Sequence, residues 1–234
     1  MPTPGKHHEW KFYGRRAGRK LSPARQDALD TLLPVLGITE TTIQQDGTLD
    51  PAALFPAPKE AFILEVGFGN GERLAEHIAR EPETGFIGAE PFHNGMAAFL
   101  KSLPAAPPDN IRVYMDDAVT LVKSLSAHSI DTLYVLNPDP WHKTRHHKRR
   151  IIQAQNLDAL ARVLKPGGRL ILSTDVPDLA ESMLTAAMQH QAFTWTAQCR
   201  NDWEIPPAGW IPTRYETKGA KGAEKMRYFI FDRT

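Results

Sequence analysis

From Ala61 to the end of the chain, short apolar runs alternate with stretches of helical periodicity, and this alternation restricts the fold more than any other feature. Such runs are typical of parallel strands that are buried on both faces, with helices packed on either side of the sheet. The pattern therefore predicts an α/β fold with seven strands. The predicted strands are residues 61–66, 85–90, 111–115, 130–136, 168–174, 193–199 and 227–232, and the predicted helices are 71–80, 93–103, 118–125, 151–164 and 178–190.

The segment before this sheet is strongly basic. Residues 1–25 contain seven Lys or Arg against Glu9, a charge of +6, so the rest of the chain carries −5 of the net +1. A basic arm on an acidic body favours a polyanionic partner, although many basic tails are only solvated.

The chain is predicted to divide into three parts. Ser22 and Pro23 are typical of a helix start, and Gly37 of a helix end, so a helix is predicted between them. The predicted parts are a flexible arm over 1–21, this helix with a proline-rich linker over 22–59, and one domain over 60–234.

Composition indicates the cellular compartment of the protein. Cys199 is the only cysteine, which excludes an internal disulfide and a thiolate metal cluster and suits a reducing compartment. We find no apolar run of membrane-spanning length and no apolar core of a signal peptide, so the sequence predicts a soluble, cytoplasmic protein with no membrane partner.

A glycine-rich turn follows the first predicted strand. Gly67, Gly69 and Gly71 alternate with larger residues, so the backbone can turn sharply and approach a ligand closely. Glu65 precedes them, and Glu90 ends the second strand, where an acid can accept hydrogen bonds from both hydroxyls of a ribose.

Two adenine cofactors fit such a turn. A nicotinamide dinucleotide requires the third glycine one residue later, and the acid at Glu65 would repel its pyrophosphate. The same acid would attract a cationic sulfonium or ammonium, and Asp117, after the third strand, could meet an adenine amino group. These details favour S-adenosylmethionine.

A proline-rich turn with a basic tail follows the fourth strand. Asn137-Pro138-Asp139-Pro140-Trp141 places an acid between two prolines at the carboxyl end of a strand, where ligands bind in open α/β sheets. The turn could equally serve only to lead into the next helix. Residues 143–150 hold five Lys or Arg and two His, a density that favours RNA phosphates over a metal ion bound by His142 and His146.

These motifs together resemble the bacterial tRNA (guanine-N7)-methyltransferases. The resemblance rests on 65–71, 137–141, 143–150, Ser173-Thr174-Asp175 and Thr213-Arg214-Tyr215-Glu216. It implies a class I methyltransferase (Rossmann-like) fold whose last strand is antiparallel, and methyl transfer from S-adenosylmethionine to N7 of a guanosine at position 46 of tRNA. The family usually has Phe at Asn137, Lys at Arg214 and Phe at Tyr215.

The resemblance also implies site residues. Asp139 would be catalytic and would help to bind the cofactor; Lys143, Asp175, Thr213, Arg214, Tyr215 and Glu216 would hold the substrate. The cofactor site would consist of Glu65, Gly67, Gly69, Gly71, Glu90, Asp117 and Asp139, and the RNA-binding surface of Arg145, His146, His147, Lys148, Arg149 and Arg150.

Several alternatives remain open at this stage. Asp175 could instead cap the helix that follows it. The protein could methylate an exocyclic amine, because Asn137-Pro138 resembles the turn of such enzymes, or it could be a non-enzymatic RNA-binding protein. No metal is expected, and the sequence is compatible with a monomer or a homodimer.

Overall fold

A seven-stranded sheet forms the centre of the computed structural model, which describes residues 12–43, 47–218 and 225–234. The strand order is β3-β2-β1-β4-β5-β7-β6, and β7 runs antiparallel to both of its neighbours, as predicted. The strands are β1 (Ala61–Val66), β2 (Thr84–Ala89), β3 (Ile111–Tyr114), β4 (Ile130–Leu136), β5 (Leu164–Thr174), β6 (Phe193–Trp195) and β7 (Arg227–Arg233).

Helices cover both faces of the sheet. In β2, Phe86 packs into one apolar cluster with α1, α2 and α3, whereas Ile87 packs into a second cluster with α4, α5 and α6. Adjacent strand residues therefore point into separate cores, which explains the continuous apolar runs. The helices are α1 (Pro23–Leu36), α2 (Glu72–Arg80), α3 (His93–Ser102), α4 (Ala118–Ser124), α5 (Ala154–Val163), α6 (Pro177–Met188), α7 (Asn201–Glu204) and α8 (Arg214–Lys218).

The sheet has a switch point next to β1. The chain proceeds from β1 outward to β2 and β3, then returns to β4 on the other side of β1. The carboxyl ends of β1, β2 and β4 therefore meet around one crevice, which is where ligands bind in sheets of this kind. Each of these ends carries one of the predicted motifs.

Most element bounds agree with the sequence prediction to within two residues, and three differ by more. β6 stops at Trp195, while β5 begins at Leu164 and continues through the Pro-Gly-Gly segment, where its pairing with β4 shifts register. α5 begins at Ala154 and not at residue 151, and the basic run before it forms a separate 3-10 helix (Thr144–Arg149). Propensity alone does not locate such boundaries, because the neighbouring strand decides where pairing stops.

Part of the N-terminal segment contacts the body of the protein. Residues 12–21 contain no helix or strand, yet the backbone N–H of Gly18 donates to Asn94 Oδ1 at 2.8 Å, and Asn94 Nδ2 donates to the carbonyl oxygen of Arg19 at 2.7 Å. Arg16 also forms an ion pair with Asp116 at 2.6 Å. This segment is therefore attached to the body of the protein; residues 1–11 of the predicted arm lie outside the described residues.

None of the helices in the described part of the chain combines the length and apolarity needed to cross a bilayer.

Candidate active site

The glycine-rich turn between β1 and α2 adopts a conformation that requires glycine. Gly67, Gly69 and Gly71 have φ angles of +72°, +60° and +71°, in the left-handed region. A Cβ atom at Gly71 would lie 2.3 Å from the ring of Phe99, whereas one at Gly67 or Gly69 would enter open space. The turn thus packs on the core at Gly71 and presents bare backbone to a crevice.

Glu90 is held at the end of β2 by backbone donors. The N–H of Gly69 donates to one carboxylate oxygen at 2.7 Å, and the N–H of Phe92 donates to the other at 2.8 Å. Burial raises the pKa of the carboxyl above its ordinary value, and the negative charge of Asp139 acts in the same direction, while the two N–H groups oppose the shift.

A cavity of about 370 Å³, here named the Glu90 cavity, lies at these strand ends. Its volume is within the range of small-molecule sites. It brings together four of the predicted cofactor residues: Gly67, Glu90, Asp117 and Asp139. Asp117 also accepts a hydrogen bond from Val119 N at 3.1 Å and so begins α4, which fixes the position of its side chain.

The turn that carries Asp139 is fixed at both ends. Asn137 and Trp141 have φ angles of +47° and +48°, a conformation that is costly for a bulky residue such as Trp. The N–H of Asn137 donates to the carbonyl oxygen of Ser173 at 2.8 Å, and the Nε of Arg150 donates to that of Pro140 at 3.0 Å. Asp139 itself is exposed and lines the cavity.

Arg150 departs from the predicted RNA-binding surface. It is 3% exposed, and besides Pro140 its guanidinium contacts Asp178 of α6 in an ion pair. The hydrogen bond from the Arg150 guanidinium is the largest cause of the lowered pKa of Asp178. A guanidinium with these two internal partners positions the Asp139 turn and is not oriented toward solvent.

The other residues of the basic run divide into two groups. Lys143, Arg145 and Lys148 are exposed and have no ion-pair partner among the described residues. Arg149, in contrast, lies 4.7 Å from the ring centroid of Tyr13 and 5.0 Å from that of Trp141.

The two histidines of the run are partly buried. His146 contacts the edge of the Trp141 ring at a centroid distance of 6.0 Å, and His147 lies 3.6 Å from Asp178. Within the described ranges, no three His, Cys, Asp or Glu side chains are grouped to bind a metal ion.

A second cavity, of about 570 Å³ and here named the Glu65 cavity, adjoins the first. The Glu65 carboxylate is buried and pairs with Nη1 of Arg73 at 2.9 Å. Burial raises the pKa of Glu65, and Arg73 opposes this shift. The Arg73 guanidinium carbon lies 4.1 Å from the ring centroid of Tyr134 and 5.0 Å from that of Trp210.

Arg73 is a site residue that the sequence analysis missed. Arg73 is the second residue of α2, and a cation there lies next to the positive end of the helix dipole, which favours a nearby anion. That signal was available in the sequence; the identity of the partner was not.

Three of the predicted substrate residues, Thr213, Arg214 and Tyr215, line the Glu65 cavity. Thr213 donates to Glu216 at 3.1 Å and accepts from Nδ2 of Asn137 at 3.3 Å, which connects this segment to the Asp139 turn. Arg214 is exposed and pairs with Glu72 at 3.1 Å. Lys143 lines neither cavity.

Asp175 does not cap the following helix. The N-cap of α6 is Val176, and the Asp175 carboxylate instead accepts a hydrogen bond from the hydroxyl of Tyr215 at 3.0 Å. The capping interpretation is therefore wrong, because the helix begins one residue later than that role requires. Tyr215 is 46% exposed and lines the Glu65 cavity, whereas Asp175 does not line it and contacts it only through Tyr215.

The N-terminal segment contributes a wall that the sequence did not indicate. Residues 12–15 line the Glu90 cavity together with the Asp139 turn. Tyr13 contacts Arg149, and Gly18 and Arg19 just after this stretch bond to Asn94; no local pattern reveals such distant contacts.

Comparisons with known proteins agree with this geometry. Residues 59–228 match the family described as "Putative methyltransferase". The chain is 43% identical to a tRNA (guanine-N(7)-)-methyltransferase of Azorhizobium caulinodans, over 97% of this chain and 96% of the relative. It is 42% identical to the protein of the same name from Rhizobium meliloti, over 99% and 98% of the two chains.

Solved structures share the fold at low identity. The 16S rRNA methyltransferase KamB superposes with a TM-score of 0.52 at 14% identity, over 84% of this chain and 94% of that one. TrmN from Thermus thermophilus superposes with a TM-score of 0.51 at 16% identity, over 79% of this chain and 47% of that one. The fold is thus that of the methyltransferases, and the chain belongs to the family of the tRNA (guanine-N7)-methyltransferases.

Proposed function

We propose that this protein transfers a methyl group from S-adenosylmethionine to N7 of the guanosine at position 46, in the variable loop of tRNA. The observation that carries the proposal is the arrangement of Glu90, Asp117 and Asp139 around one cavity, at the switch point of a sheet of this family. Residues 60–234 perform the chemistry, in the cytoplasm, where tRNA is found.

The cavity suits the proposed cofactor. Both oxygens of Glu90 are already oriented by N–H donors, so their remaining lone pairs are available to a ribose. The open space in front of Gly67 and Gly69 allows the backbone to contact a ligand. When bound, the cofactor supplies a methyl group activated by a sulfonium charge.

Asp139 suits a role in which it positions the guanine and does not act as a general base. Guanine N7 carries a lone pair and no hydrogen, so methylation there requires alignment and no general base. Positive charge appears on the purine during the reaction, and an adjacent carboxylate stabilises it. The turn around Asp139 is fixed at Asn137 and by Arg150, so the carboxylate is preorganised for this purpose.

The structure offers less support for methylation of an exocyclic amine. In that chemistry the Asn of the turn would accept a hydrogen bond from the substrate amine. Here Oδ1 of Asn137 is buried, with no partner in the described residues, and Nδ2 is bonded to Thr213. The Asn137 amide is thus held by Thr213 and does not present Oδ1 at the surface of the cavity.

The tRNA-binding surface is proposed to include the exposed cations Lys143, Arg145 and Lys148. They adjoin the turn that carries Asp139, so phosphates bound there would bring a guanosine toward the cavity. His146, His147 and Arg149 are partly buried behind them and are proposed to position this surface.

The direct experiment is incubation of the purified protein with methyl-labelled S-adenosylmethionine and an unmodified tRNA transcript. We expect one labelled nucleoside, N7-methylguanosine, located at position 46 by cleavage chemistry selective for that base. A transcript with adenosine at position 46 is the control and should remain unlabelled. Label in N2-methylguanosine, or label that persists in the control transcript, would contradict the proposal.

A further inference from the structure

The Glu65 cavity contains a buried ion pair whose cation has no assigned role. Arg73 is 4% exposed, and Glu65 is equally buried. A buried pair of charges rarely adds stability compared with apolar residues of similar size, so its presence suggests another use. That use must suit an acid and a guanidinium that line the same cavity.

Arg73 has unused hydrogen-bonding capacity. The rings of Tyr134 and Trp210 lie against the guanidinium, and Nη1 is engaged with Glu65. Its Nε is buried and has no acceptor among the described residues. Buried donors in proteins almost always have an acceptor, so this N–H group requires one from water or from a ligand.

The two cavities share part of their lining at the glycine-rich turn. Gly67, Phe92, Leu136 and Asn137 line both of them. A ligand with its ribose at Glu90 would therefore extend past Gly67 into the Glu65 cavity. The part of S-adenosylmethionine beyond the sulfur is an amino acid, which carries one ammonium and one carboxylate group.

We propose that Arg73 is a further cofactor-binding residue, which binds the carboxylate of the amino-acid end while Glu65 binds the ammonium. An acid and a cation 2.9 Å apart are complementary to a zwitterion with the opposite order of charges. Planar guanidinium groups suit carboxylates, and the rings of Tyr134 and Trp210 hold this one in place. The inference rests on the proposed cofactor and adds a recognition site to it.

Two other cations line the same cavity and are less suited to this role. Arg25 is half-buried on α1, and Arg214 is exposed and paired with Glu72. A charge that stays in contact with water contributes less to binding than one in a low-dielectric site. Arg25→Ala is therefore a matched control: it removes a guanidinium from the same cavity and leaves Arg73 in place.

The test compares two ligands by calorimetric titration of the full-length protein. S-adenosylhomocysteine carries both charged groups, and its decarboxylated analogue keeps only the ammonium. We expect the analogue to bind wild type about 10- to 100-fold more weakly. Arg25→Ala should show the same ratio. In the double variant Glu65→Gln/Arg73→Gln, which leaves no uncompensated buried charge, the ratio should fall to about two-fold or less.

Three results would overturn the inference. Equal binding of the two ligands to wild type would show that the carboxylate is not recognised. A ratio that persists in the double variant, or one that is lost in Arg25→Ala, would assign the carboxylate to another cation. Failure of S-adenosylhomocysteine itself to bind wild type would instead reject the proposed cofactor, so the two failures are distinguishable.

Discussion

Glu65 and Glu90 are acids near the carboxyl ends of two adjacent parallel strands, and their partners differ. Glu65 is the last residue but one of β1 and pairs with a guanidinium, whereas Glu90 directly follows β2 and is held by two backbone N–H groups. Both are buried, and burial raises the pKa of both carboxyls.

The difference shows two ways of keeping a carboxylate inside a protein. A charged partner neutralises the acid, and loss of either member leaves the other charge buried without compensation. Neutral N–H donors orient the acid without neutralising its charge. Removal of the partner should therefore affect stability at Glu65, and removal of the acid should affect binding at Glu90.

Arg73→Met should give the largest effect, on folding. It leaves the Glu65 charge buried without a partner, so we expect the free energy of unfolding to fall by about 3–5 kcal/mol. Urea titration followed by circular dichroism measures it. Arg80→Met is the control, because Arg80 pairs with Glu76 on the exposed side of the same helix and should change stability by only about 0–1 kcal/mol. Equal losses of unfolding free energy in the two variants would show that the buried Glu65–Arg73 pair matters no more for folding than an exposed ion pair.

Glu90→Ala should affect ligand affinity more than folding. Loss of an acceptor for the ribose hydroxyls should weaken S-adenosylmethionine binding by about 1–3 kcal/mol, measured by calorimetry. Glu83→Ala, at an exposed position just before β2, should bind normally. Wild-type affinity in Glu90→Ala would show that the ribose is bound elsewhere.

Acid pH should weaken cofactor binding through Glu90. Its pKa is raised above the ordinary value of 4.5, so as the pH falls the acceptor form is lost earlier than for an exposed glutamate. We expect affinity to be constant at higher pH and to decrease about tenfold per pH unit below the raised pKa. Glu90→Gln should lack this dependence; if this variant keeps the full decrease, another group of the site titrates.

The cations of the basic run show a similar contrast between a buried, paired charge and one that is available to a ligand. The expected effect on binding is smaller here. Lys148 is exposed, whereas Arg150 is paired and buried. Lys148→Ala should reduce the slope of log tRNA affinity against log salt by about 0.7–0.9, the value for one phosphate contact. Filter-binding titrations at several salt concentrations measure the slope, with Lys101→Ala of α3 as the control. An unchanged slope would place Lys148 outside the RNA interface.

The sequence predicted one of the two acidic sites better than the other. Glu90 and the glycines belong to a local pattern, and strand order brings them together. The cavity that contains Glu65 was not predictable to the same extent, because its cation comes from α2 and Trp210 from a segment more than one hundred residues later. Likewise, Arg150 cannot be told from its basic neighbours until the position of Asp178 is known.

Asp139 differs from both glutamates, since it is exposed and its carboxylate accepts no hydrogen bond from the described residues. Asp139→Asn preserves size and turn geometry but removes the charge that we propose stabilises the methylated purine. Single-turnover methylation of tRNA is the most direct test. It should slow by about 10²–10³-fold, while cofactor affinity changes much less. A single-turnover rate near wild type would contradict the assignment of Asp139 as the catalytic residue.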